Sequence, residues 1–148
     1  MRTILLTSAG MDVKEEILKI LLKPANQTKV AHITTASKVE RDLSYLEKEN
    51  RIMREAGLDV EDIDIEGKSE NELRVLLKNK DVIYVQGGNS FYLLKHVRIS
   101  GFDKVAKELI DDGVIYVGVS AGSYIACPTI EMATWKRQDK NIVNLTDL

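Results

Sequence analysis

The chain is short of several things at once, and each shortage removes a class of function. Cys127 is its only cysteine, so no internal disulfide can form; with only His32 and His96 beside it, no Cys/His spacing suits a zinc ion. Charge of either sign is nearly balanced, 21 basic against 23 acidic residues for a net charge of -2, and the charges are interspersed. That leaves no electrostatic footprint for a phosphate backbone or an anionic membrane surface, so neither nucleic acid nor membrane is expected as a partner. Long apolar runs are also missing at the start, where Ile4-Leu5-Leu6 gives way to Thr7 and Ser8. Such a run is too brief for the core of a signal peptide or for a bilayer span, and a reducing, cytoplasmic setting is expected.

What is present is ordinary globular material: 44% apolar and 30% charged residues over 148 positions. A chain of this length can bury about 68–70% of the surface its unfolded form exposes, enough for one core. Short runs rich in Val and Ile recur at Thr3–Thr7, Lys29–Thr34, Val60–Ile65, Val82–Val85 and Ile115–Val119, separated by helix-length segments. This alternation predicts an α/β fold with a parallel sheet covered by helices. Val13, Ile17, Leu18, Leu21 and Leu22 mark one helical stripe and Leu73, Leu76 and Leu77 another. Asp12 is placed to cap the first helix, Ser69 with Glu72 spells a capping box, and Gly57 follows a predicted helix over Glu40–Ala56. A further helix is predicted over Phe102–Asp112, stopped by Gly113.

Two of the strands run into glycine-bearing turns with chemical meaning. The run Ile115-Tyr116-Val117-Gly118-Val119-Ser120-Ala121-Gly122 is a strand entering G-x-S-x-G just before a helix, the context of a nucleophile elbow. A chain that turns so sharply brings the residues two before and two after the serine together, and side chains there would collide. The turn lifts the Ser120 hydroxyl to a helix N-terminus, where N–H groups favour developing negative charge. Upstream, Val82-Ile83-Tyr84-Val85 ends in Gln86-Gly87-Gly88-Asn89-Ser90. By itself this reads as a strand-to-helix turn with Asn89 or Ser90 as N-cap. If the two strands are neighbours, the N–H groups of Gly88 and Ala121 can converge as an oxyanion hole.

With Q-G-G-N at 86–89, G-V-S-A-G at 118–122 and A-C-P-T-I at 126–130, the sequence resembles the dipeptidase E or alpha-aspartyl dipeptidase family of serine peptidases, relatives of the cyanophycinases. The resemblance runs from Met1 to about Ile130. It implies a three-layer α/β sandwich with a mainly parallel sheet, similar to class I glutamine amidotransferases with serine replacing cysteine, and a single domain over 1–148 that lacks the family's C-terminal elements. It further implies Ser120 as nucleophile and Gly88 and Ala121 as backbone donors, with Asn89 a candidate substrate contact. The implied substrates are small peptides, dipeptides with N-terminal aspartate in particular, cleaved through an acyl-enzyme that needs no metal and no other cofactor.

The triad acid is expected shortly after Ile130, with Glu131 favoured and Asp139 as the other candidate; Trp135 stands where aspartate variants of the family carry their acid. The departure from the family is the base. In relatives it is a histidine beyond the acid, whereas no histidine follows His96 here. His32 sits inside the second predicted strand as a packed or edge residue, and His96 at the end of a short predicted helix. The expectation is a truncated or weakly active enzyme. The alternative is a catalytically dead module that binds small peptides or amino acids, and an α/β-hydrolase esterase fits less well because of the short parallel start. Uncovered apolar surface near the last strand is expected to favour a homodimer.

Overall fold

A computed structural model of the chain describes residues 1–135. The five apolar runs form the strands β1 (Ile4–Thr7), β2 (Lys29–Ile33), β3 (Asp59–Ile63), β4 (Val82–Val85) and β5 (Ile115–Val119). They pair in the order β1-β5-β4-β2-β3, and every ladder is parallel. Successive side chains on a strand point to opposite faces, so each strand feeds two cores. Ala31, Ile33, Ile83, Val85 and Tyr116 face α3 (Glu70–Leu77), α4 (Ser90–Ser100) and α5 (Phe102–Asp111), meeting Leu73, Leu77, Leu93, Val97, Phe102 and Val105. Val30, Val60, Val82, Tyr84, Ile115, Val117 and Val119 face the other way, against Ile17 of α1 (Lys14–Lys19) and Met53 of α2 (Ser44–Glu55). A last short helix, α6 (Ala121–Tyr124), leaves β5 directly. This is the expected three-layer architecture. Its driving force is the burial of these aliphatic side chains, each worth about 1.5–3 kcal/mol.

Local signals behave as anticipated at three helix ends and fail at two. Ser69 caps α3 in a reciprocal box with Glu72, Glu72 N–H to Ser69 Oγ at 3.2 Å and Ser69 N–H to Glu72 Oε2 at 2.8 Å. Gly57 follows α2 at φ 94°, and Gly113 follows α5 at φ 102°. Asp12, expected as the first N-cap, makes no cap: Gly10–Val13 forms a 3-10 turn, and the Asp12 carboxylate accepts from Lys48 Nζ at 2.9 Å. The helix predicted from Glu40 begins only at Ser44, because Asp42 Oδ1 takes the Ser44 N–H at 2.9 Å and holds the chain in a local turn. Among the described residues no helix is long and apolar enough to cross a membrane.

Candidate active site

β4 and β5 are adjacent, with Val85 opposite Gly118, so the two glycine turns meet at the carboxyl edge of the sheet, where open α/β sheets bind ligands. Ser120 leaves β5 at φ 49°, ψ -104°. Asn79, at φ 66°, is the other described non-glycine residue with positive φ, and asparagine tolerates the left-handed region through its short polar side chain. Ser120 has no such excuse; its ψ lies outside the left-handed helical basin, at a cost of about 1–3 kcal/mol that the surroundings must offset.

The offset can be traced residue by residue. A Cβ on Gly118 would lie 2.6 Å from Gly122 O, and one on Gly122 would lie 2.1 Å from Val85 O, so both glycines are required by close backbone approach. Ser120 N–H donates to Thr7 O at 2.9 Å, and its own carbonyl accepts the Ser123 and Tyr124 N–H groups at 2.8 and 2.9 Å. Ser123 Oγ lies 2.7 Å from Thr7 O and 2.9 Å from Gly118 O, and accepts Thr7 N–H at 3.1 Å. Thr7 Oγ1 donates to Gly118 O at 3.1 Å and accepts Gly10 N–H at 3.1 Å. Tyr116, buried below, donates to Gly122 O at 2.6 Å. The elbow is thus stitched to β1 from two sides.

The turn after β4 is built differently. Its unusual dihedral falls on Gly88, φ 144°, whose missing Cβ leaves room for Ala36 O at 2.2 Å. Asn89 N–H donates to that same carbonyl at 2.9 Å, and Asn89 Oδ1 caps α4 by accepting Tyr92 N–H at 3.0 Å. Tyr45 Oη donates to Gly87 O at 3.3 Å. Burial, followed by the charge of Glu40, pushes the Tyr45 phenol up to about 12, so it stays a donor at neutral pH. Gly87 and Ser120 nearly touch, an added Cβ on Gly87 standing 3.3 Å from Ser120 Cβ.

Together the turns border a cleft of about 400 Å³, whose other walls are the segment after β1 (Ser8, Ala9, Asp12) and α2 with the residues before it (Glu40, Tyr45, Lys48, Glu49). Glu49 is the buried member: its carboxylate accepts Met11 N–H at 3.0 and 3.1 Å and the Tyr84 hydroxyl, and Gly10 is glycine because a Cβ would strike it. Burial first, then the Glu49 charge, raises the Tyr84 pKa far above the ordinary phenol range. No motif in the sequence marks Glu49 or Tyr45. The available signal was spacing: Tyr45, Glu49 and Met53 recur every fourth residue along the inward stripe of α2, and a glutamate on such a stripe is out of place unless it is used.

Of the residues expected at the site, Ser120 and Gly88 line the cleft, and Ala121 is buried directly behind Ser120 as the first residue of α6, where a helix leaves its N–H without an intrahelical partner. Asn89 lies next to the cleft with its side chain engaged in capping. Glu131 starts a 3-10 turn (Glu131–Trp135), is exposed, and is not among the cleft residues. Asp139 lies outside the described residues. His32 is fully buried inside β2, a central strand, and His96 sits within α4 with four residues of helix still to follow, so its expected helix-end setting is corrected. The His96 ring packs on Tyr92 with centroids 4.5 Å apart, Nε2 is 3.8 Å from Glu66, and burial lowers its pKa against the pull of that glutamate. Neither histidine lines the cleft.

Comparisons with known proteins agree with this fold. The family model for Peptidase family S51 matches residues 4–147. An uncharacterized peptidase of Listeria monocytogenes is 37% identical over 147 residues, covering 99% of this chain and 71% of its own length. An uncharacterized peptidase of Pasteurella multocida is 30% identical over 131 residues, 88% of this chain and 63% of the relative. Peptidase E of Escherichia coli O139:H28 is 41% identical over 54 residues, 36% of this chain and 24% of the relative. A crystal structure of a Listeria monocytogenes EGD-e protein assigned to peptidase E superposes with a TM-score of 0.88 at 36% identity, covering 98% of this chain and 71% of that one.

Proposed function

This chain belongs to peptidase family S51, and we propose that it acts on small peptides through an acyl-enzyme formed on Ser120. The observation that carries the reading is the backbone of Ser120: a non-glycine residue held at φ 49°, ψ -104° between two obligatory glycines, facing a cleft. Strain of that kind survives where the surroundings over-determine it, and it points to a working residue. In the proposed step Ser120 Oγ attacks the scissile carbonyl, the N–H groups of Gly88 and Ala121 hold the oxyanion, and the amine departs with a proton from the base. Each such donor is worth about 2.7–4 kcal/mol in the transition state. Glu131 is our candidate for the triad acid.

With His32 and His96 both away from the cleft, neither is placed to take the Ser120 proton. Loss of the base can cost about six orders of magnitude in turnover, so these 148 residues alone are expected to turn over little. The described walls also inform substrate choice. They carry Asp12, Glu40 and Glu49 against one lysine, Lys48, which Asp12 already holds at 2.9 Å. That surrounding suits the free α-ammonium of a short peptide. The cation needed for an N-terminal aspartate side chain would have to come from outside these walls. We propose self-association through the β1 edge, a reading supported by the exposure of Ile4 (52%) and Leu6 (45%), and sedimentation velocity tests it.

The test is the reaction with a serine-directed fluorophosphonate, read by intact mass, for this chain and for the protein carried to the length of its relatives. Labelling that disappears in Ser120→Ala supports the peptidase. No labelling of either form rejects it in favour of a binding module built on the same cleft.

A further inference from the structure

Beside the cleft runs a polar chain that the acyl-transfer scheme does not use. His32 is fully buried, and its register partners are Asp62 on β3 and Tyr84 on β4. Its Nδ1 is 2.8 Å from Asp62 Oδ1, and its Nε2 is 3.0 Å from Oε1 of Gln86. Gln86 is itself buried, lines the cleft, and immediately precedes Gly87 and Gly88. The ring cannot swing away, since Tyr84 closes on it edge-on with centroids 5.4 Å apart and is tied in turn to Glu49.

We propose that His32 is a positioning residue for the reaction at Ser120, deciding which end of the Gln86 carboxamide faces the cleft; this rests on the reading of that cleft as the active site. The argument is one of donors and acceptors. Asp62 accepts on both oxygens, from His32 on one and from Asn50 Nδ2 at 3.0 Å on the other. An ionised carboxylate only accepts, so Nδ1 carries a proton. The His32 hydrogen bond is also the foremost cause holding the Asp62 carboxyl below its usual range, with Arg54 of α2 contributing.

Two states of the ring remain. A neutral His32 has a lone pair on Nε2, Gln86 must turn its NH2 toward it, and Oε1 is presented to the cleft as an acceptor. A doubly protonated His32 donates from Nε2 to Oε1, and the cleft receives the two N–H donors. The carboxamide interconverts by a half-turn about its last bond. The charged and titratable groups facing this ring are Asp62 from β3, Tyr84 from β4, and Glu49 and Arg54 from α2. An acceptor suits the α-ammonium or amide N–H of a peptide, and donors suit a carboxylate or carbonyl, so the state of the His32 ring selects what the cleft holds.

Nitrogen-detected imidazole NMR on the whole chain at neutral pH tests the coupling without requiring turnover. The expected result is a proton on Nδ1 and a hydrogen bond between Nε2 and the Gln86 carboxamide, seen as coupling from the Gln86 NH2 to a bare Nε2 or from an Nε2 proton to the Gln86 carbonyl. An unprotonated Nδ1, or a Gln86 side chain with no coupling to Nε2, overturns the proposal. The functional arm follows fluorophosphonate labelling at Ser120. Gln86→Met, close in volume, should lower the rate about tenfold. His32→Gln should lower it too and add little in a folded Gln86→Met protein; a His32→Gln effect that persists undiminished there overturns the role in the reaction. Absence of labelling in every form strikes the active-site reading itself, while the NMR arm still decides whether His32 commands Gln86.

Discussion

The two turns that border the cleft solve one geometric problem in opposite ways. After β4 the awkward dihedral is assigned to Gly88, which can adopt it freely, and the neighbouring Asn89 closes the turn as an ordinary N-cap. After β5 it is assigned to Ser120, which cannot, and the chain surrounds it with Gly118, Gly122, Thr7, Ser123 and Tyr116 to hold it there. A turn that only has to change direction uses glycine at the difficult position. One that must present a hydroxyl keeps the side chain and stabilises the conformation from outside. The contrast separates a turn that supplies backbone donors from one that supplies a nucleophile.

The sharpest way to break the comparison is to remove the hydroxyl and leave the backbone: Ser120→Ala should abolish fluorophosphonate labelling, while thermal denaturation shows stability within about 0.5 kcal/mol of the parent. Next come the glycines pressed against carbonyls. Gly122→Ala and Gly88→Ala should each cost about 3 kcal/mol or more in chemical denaturation, because the new methyl meets backbone at 2.1 and 2.2 Å. Gly67→Ala, with open space and only its φ of 74° to contend with, should cost about 1 kcal/mol. Ser123→Ala, which unties the elbow from β1, should cost about 1–2 kcal/mol and slow any labelling that the parent shows.

Relief of strain gives a smaller effect of the opposite sign: Ser120→Gly should stabilise by about 1 kcal/mol, whereas Asn79→Gly should lie within a few tenths of zero. The smallest effect is in acid. The Asp62 pKa is lowered in the folded chain, so its contribution is present above the unfolded value and is lost as pH falls through the folded one. Asp62→Asn should therefore shallow the loss of stability below about pH 4, measured by denaturation across that range.

The legible parts of this protein are those written in local pattern. Alternation of Val/Ile runs with amphipathic stripes is enough for the sheet and its two covering layers, and G-x-S-x-G behind a buried strand is enough for the elbow, because close backbone approach leaves glycine no substitute. The order of the strands was not legible, and with it went everything that depends on cross-strand neighbours. His32 and Asp62 are thirty residues apart and become partners only because β2 and β3 align in register. Glu49 reaches Met11 N–H and Tyr84 from three different elements. Ser123 looks like a helix residue after a motif until β1 is seen lying beside it.

The stitching of the elbow to β1 has a consequence for how the chain acquires its site. Thr7 and Ser123 are 116 positions apart, and the bonds between them are among the longest loops this fold closes. Contacts of such separation are slow to form, since the chain must lose the entropy of closure before they contribute anything. The local bonds of Tyr116 and Ser123 within the turn therefore hold it only in part until β1 arrives. The full reactive conformation of Ser120 should appear only in the late, cooperative step that docks the edge strand and completes the sheet.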